Sequence, residues 1–87
     1  MYSYRVSFYN PGAWSRFGCI EVDTIEEGKA LAEKWLGEPP VLAPDVDGLY
    51  ILLRPDGLDD ERPTAVQLSP VGDVEAGRDA LRKEFGR

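Results

Sequence analysis

Cys19 is the only thiol in this chain of 87 residues, and the chain has no histidine. A Ser, Cys or Thr nucleophile needs a general base beside it, usually an imidazole, and none is available. Cys19 stands between Gly18 and Ile20, where it reads as a small buried thiol. Arg16 is the one cation close to it in sequence that could lower its pKa. A single Cys excludes an internal disulfide and, with no His, leaves a zinc or haem site almost without ligands, so the setting reads as reduced and intracellular.

Carboxylates are the remaining chemistry, sixteen of them against ten Lys and Arg. In such numbers some pair must lie close, so proximity alone does not mark acid–base catalysis. Asp45-Val46-Asp47-Gly48 and the run Asp56 to Glu61 faintly resemble calcium loops. Neither keeps the alternating oxygen ligands and distal bidentate Glu that such a loop requires. The nine glycines are scattered at turns and helix ends and form no phosphate-cradling loop. No catalytic residue, metal or cofactor is expected, and an enzyme is not the reading these residues favour.

Two groups of side chains suit binding. The net charge of −6 is unevenly placed: residues 1–20 carry +2, residues 21–61 carry −9 and residues 62–87 carry +1. Within the acidic middle, Asp45, Asp47, Asp56, Asp59, Asp60 and Glu61 fall in two neighbouring loops and form the first candidate contact surface. An acidic chain repels nucleic-acid phosphates, so direct DNA or RNA binding is not expected, and a protein with a basic surface is the partner that fits. The plain alternative is charge that only keeps a small protein in solution. The second surface is aromatic: Trp14 on a loop, with Tyr9 and Phe17 at its ends. An indole there either caps the core or, if exposed, anchors a contact.

The elements that position these groups follow from hydrophobic period and turn chemistry. Residues 2–9 alternate, with Tyr2, Tyr4, Val6 and Phe8 on one side, which predicts a half-buried strand. Asn10-Pro11-Gly12 turns the chain into a second strand over residues 17–22, with Ile20 and Val22 inward, and the two form an antiparallel hairpin. Thr24 to Glu27 reads as a capping box. Ile25, Leu31, Ala32, Trp35 and Leu36 make the apolar face of a helix that Gly37 and Pro39-Pro40 end. Gly28 costs that helix about 1 kcal/mol relative to Ala, which points to a close packing contact. Residues 41–47 read as a connector and 49–53 as a central strand, with Tyr50 and Leu52 on a partly exposed face. Residues 64–69 form another strand, with Val66 and Leu68 inward. Ser69-Pro70 or Asp73 caps a last helix along Val74, Gly77, Leu81 and Phe85, with Asp79 and Lys83 as an outer i,i+4 pair.

The expectation is therefore one α+β domain over residues 1–87, of order ββαββα: a four-stranded antiparallel sheet with two helices packed on one face. A chain this short builds one modest core and has no room for a deep cavity as well. No apolar run is long enough to span a bilayer, and residues 1–5 lack the apolar stretch of a signal peptide, so a cytoplasmic location without membrane contact is expected.

In size, charge and lack of catalytic residues the chain resembles, as a class and through no specific motif, the small acidic accessory proteins of phages and mobile elements, anti-CRISPR inhibitors among them. That resemblance implies a non-enzymatic inhibitor, in part a nucleic-acid mimic, that binds a basic nucleic-acid-handling host protein. The alternatives are an immunity or antitoxin-like protein that neutralises a toxin, and a self-associating module that forms a homodimer through the Tyr50 and Leu52 face.

Overall fold

The computed structural model of the chain describes residues 1–10, 16–44, 48–57 and 61–86. The elements run β1 (Tyr2–Tyr9), β2 (Arg16–Val22), α1 (Ile25–Leu36), β3 (Val41–Leu42), β4 (Tyr50–Leu53), β5 (Ala65–Gly72) and α2 (Val74–Phe85). The class is α+β with two helices and an antiparallel sheet, as expected. Among the described residues the sheet has five strands rather than four, in the order β2-β1-β5-β4-β3, and the elements run ββαβββα. The added strand is the two-residue β3, set against Leu52 and Leu53 of β4. Two residues between Pro39-Pro40 and Ala43-Pro44 are too few to show a period, so local pattern reads them as connector.

Strand register explains the core. Val6 of β1 lies opposite Leu68 of β5, which lies opposite Tyr50 of β4; one step on, Phe8, Val66 and Leu52 form the next row. All six are buried in one cluster with Tyr4, Val22, Ile25, Ala32, Leu36 and Leu81. Both helices cover this side of the sheet, α1 over β1, β5 and β2, and α2 over β5 and β1. Tyr50 and Leu52 are thus core residues, contrary to their expected place on a partly exposed face. Ile51 and Leu53 take the other side and are only half-buried. An alternating apolar strand does not say which of its faces the helices will take. Here Phe85 of α2 lies over Tyr50, with ring centroids 6.0 Å apart. β4 is next to the sheet edge, and the central strand is β5.

Helix α1 starts as its capping box requires: the Thr24 hydroxyl accepts from the Glu27 amide, and Gly37 ends the helix at φ 87°. A Cβ on Gly28 would stand 2.9 Å from a Leu68 methyl, the close helix–sheet contact that this glycine implied. Helix α2 is capped by Asp73 and not by Ser69-Pro70, because β5 continues through Pro70 to Gly72. Its approach to the sheet is also glycine-mediated, with an added Cβ on Gly77 falling 2.7 Å from Pro70 Cβ. The buried Tyr4 hydroxyl donates to the Gly77 carbonyl at 2.8 Å and ties α2 to β1. Val74, expected on the buried line, is exposed, and Asp79 pairs with Arg82 instead of Lys83. Lys29 and Glu84 link the two helices at 2.8 Å, with Lys29 also over the Phe85 ring. Among the described residues, no helix is long and apolar enough to cross a membrane.

Candidate interaction surface

The two edges of the sheet differ in a way that matters for contact. An edge strand presents unpaired backbone N–H and C=O groups, and proteins blunt it by shortening it, by placing proline there or by covering it. β3 is blunted: two residues long, with Pro39-Pro40 before it and Pro44 close after. β2 is seven residues long, has no proline, carries Arg16 and Glu21, and among the described strands pairs only with β1.

Beside this open edge lies an apolar groove of about 470 Å³ whose floor and walls include Phe8, Phe17, Ile20, Leu31 and Trp35. Its shape comes from a shift in register. Phe8 faces Gly18 and Tyr9 faces Arg16, so Phe17 is the extra residue of β2, a bulge that turns its ring toward α1. Phe17 packs on Trp35 with ring centroids 5.3 Å apart, and Trp35 packs on Phe8 at 5.2 Å. The outer side of this stack is open: Phe17 is 66% exposed and Ile20 is 49% exposed. Trp35 Nε1 is buried and has no hydrogen-bond partner among the described residues. Ile20, expected inward with Val22, does lie on the helix side, opposite Val6, but no described strand lies beyond β2 to cover it and it is about half exposed. Cys19, expected as a buried thiol, is exposed, because it faces Ser7 on the side away from the helices at the sheet's rim.

The acidic surface is described only in part. Asp45, Asp47, Asp59, Asp60 and Trp14 lie outside the described residues. Asp56 is exposed but engaged, 3.0 Å from Arg62 Nη2 and 3.9 Å from Arg54 Nε, and Glu61 is exposed nearby. Arg54 itself is only 1% exposed. Its Nη1 donates to the Pro63 carbonyl and, at 3.5 Å, to the Leu36 carbonyl at the end of α1, where a cation also meets the negative helix terminus. The start of the acidic loop is therefore pinned down by arginines. A second set of acids stands in the open: Glu21, Asp23, Glu26, Glu27 and Glu33 are all exposed on β2, α1 and the turn between them. Glu26 and Glu33 share one flank of α1 with Lys29, beside Pro39 and Pro40.

The aromatic group is divided by the sheet. Tyr9 is half-buried on the helix-free side, where its hydroxyl donates to Gln67 Oε1 at 2.9 Å, whereas Phe17 belongs to the groove on the helix side. Sequence reasoning missed Leu31 and Trp35 as surface formers because their helical spacing marks them as core. They do pack against the core, and they also form the groove wall. Among the described residues no group of three or more His, Cys, Asp or Glu is placed to hold a metal ion. No protein-family model, curated protein or solved structure matches the chain.

Proposed function

We propose that this chain is a non-catalytic binding protein of the small acidic inhibitor class, anti-CRISPR-like in character, and that it engages a basic, nucleic-acid-handling protein along β2 and α1. The observation that carries the reading is the open groove of Phe17, Ile20 and Trp35 beside the edge strand β2, which bears the exposed Glu21, while Glu26 and Glu33 are exposed on a separate flank of α1. Interfaces have this composition: an aromatic centre that supplies most of the affinity and a polar rim that steers the encounter. The acids at Glu21, Asp23, Glu26 and Glu33 suit a partner surface rich in Lys and Arg. The loop acid Asp56, already paired with Arg62, is less free to do so.

A tagged pull-down from host lysate, washed at ~0.1 M and then ~1 M salt, tests this, since screening shortens from about 10 Å to about 3 Å across that range. A basic nucleic-acid-binding protein is expected at low salt and in reduced amount at high salt. Its capture should be lost with Ile20→Lys and weakened with Glu26→Lys/Glu33→Lys. Capture unchanged in both variants but abolished by Asp59→Lys/Asp60→Lys/Glu61→Lys would move the contact to the acidic loop and overturn the groove as the binding surface. Failure of every bait to retain a basic protein would overturn the inhibitor reading.

A further inference from the structure

We infer that in the free protein the open edge of β2 is closed by the β2 strand of a second copy, paired antiparallel about a two-fold axis at Cys19. The inference rests on the reading of β2 as the contact strand and names its occupant when no other protein is bound.

The argument begins with the asymmetry of the sheet. One edge is shortened and flanked by proline, while the other is a seven-residue strand whose outer side no described strand pairs, with apolar side chains exposed on it. Such a strand is a template for another strand and associates unless something covers it. The shape of β2 then says what covers it. Gly18 and Ile20 lie on the helix side of the sheet, opposite Phe8 and Val6. Among the described residues a Cβ placed on Gly18 would meet nothing within 4 Å, which leaves space over the glycine, and Ile20 projects two residues away with about half its surface in solvent.

When β2 is paired with itself about Cys19, each Gly18 stands opposite the second copy's Ile20. The side chain exposed in one copy fills the space left by the glycine in the other, and symmetry makes the contact twice. Apolar cross-strand pairs of this kind stabilise sheets. Because the axis is perpendicular to the sheet, the helices of both copies stay on the same side. The two grooves then meet, and the second copy supplies the missing wall against Phe17. The pairing has to overcome the net charge of −6 on each copy, with Glu21 on β2 itself, although among the described residues Lys34 is the only charged one lining the groove.

The axis places Cys19 against its own copy on the helix-free side. Opposed residues of an antiparallel pair have Cα atoms about 4.5–5.5 Å apart. That lies within the roughly 4.4–6.8 Å a disulfide spans, so the thiol reports on the pairing without being needed for it.

Sedimentation equilibrium of the whole chain under reducing conditions, from about 1 µM to about 1 mM, is the first measurement. A species of twice the 9.7 kDa chain mass is expected to grow with concentration. Gly18→Val is the decisive variant. Among the described residues nothing stands against a Cβ at this position and Gly18 has no positive φ, so the fold should persist by circular dichroism, while the valine takes the space of the second copy's Ile20. The dimer is expected to weaken at least tenfold, and Ile20→Lys should do the same. In the native chain, diamide should take up the two thiol hydrogens as a Cys19–Cys19 Sγ–Sγ bond forms, giving a covalent dimer. Gly18→Val and Ile20→Lys, which keep Cys19, should form little of it. A monomer throughout the concentration range overturns the inference, as does a dimer that survives both variants. If that monomer still captures a basic protein in an Ile20-dependent way, the proposed function stands without self-pairing. A dimer behaving as expected with no partner captured leaves the inference and removes the function.

Discussion

Gly77→Ala exposes how closely the second helix is held to the sheet. In an exposed helix interior this change adds about 1 kcal/mol of stability through helix propensity. Here the new methyl carbon would stand 2.7 Å from Pro70 Cβ and 3.5 Å from the Tyr2 ring. Non-bonded carbons prefer about 3.5–4.0 Å, so α2 must lift by about 1 Å at this point. Pro70 cannot yield, because its ring is rigid and β5 is held by β1 on one side, with Pro70 opposite Tyr4. Lifting the helix stretches the 2.8 Å bond from the Tyr4 hydroxyl to the Gly77 carbonyl beyond hydrogen-bond range and leaves a buried hydroxyl without its acceptor. Overpacking costs about 1–3 kcal/mol and the orphaned group a further 1–3 kcal/mol or so. Set against the helical gain of about 1 kcal/mol, the net expectation is a loss of about 1–5 kcal/mol, with a central value of about 3 kcal/mol. For a domain of this size the central value lowers Tm by roughly 10–20 °C in a thermal melt followed by circular dichroism. Tyr4→Phe supplies the check on mechanism: its cost should shrink when measured in the Gly77→Ala background, since the bond it removes is already broken. A Gly77→Ala protein as stable as the native chain would refute the close-packing argument, and full additivity of the two changes would refute the part assigned to the hydrogen bond.

Burial, with smaller contributions from Tyr2 and Glu26, pushes the Tyr4 hydroxyl up from 10.0 to about 12. The unfolded chain therefore releases this proton before the folded one does, and Tyr4 contributes stability that is fully present below pH 10 and is lost as pH rises toward 12. Urea unfolding across that window should show a fall that Tyr4→Phe largely removes; an unchanged slope in the variant would assign it to other groups. Arg54→Met is expected to cost about 1–2 kcal/mol in urea, because the Pro63 and Leu36 carbonyls lose their donor. The loss stays modest because Nε and Nη2 of this buried guanidinium have no hydrogen-bond partner among the described residues, so their desolvation is relieved on removal. A loss above about 4 kcal/mol would indicate that the arginine is fully compensated in solution.

Both helices and the β1–β2 hairpin are determined by the sequence alone, because their causes are local. The Thr24 cap, the spacing of Ile25, Ala32 and Leu36, and the Gly37 stop act within a turn or two of one another, and the period of two in residues 2–9 marks one strand face as surely. The inward sense of Val66 and Leu68 and the packing role of Gly28 were legible for the same reason. Tertiary structure decided the candidate surface. β5 inserts between β1 and β4, a pairing across more than fifty residues that no neighbouring side chain encodes, and it leaves β2 at the rim. Edge position, and not residue type, leaves Cys19 and Ile20 exposed on opposite faces of the sheet and opens the groove against Trp35. The choice of Tyr50 and Leu52 over Ile51 and Leu53 for the core likewise waited on which side the helices packed. An alternating strand offers two faces, and burial selects one only when another element arrives to cover it.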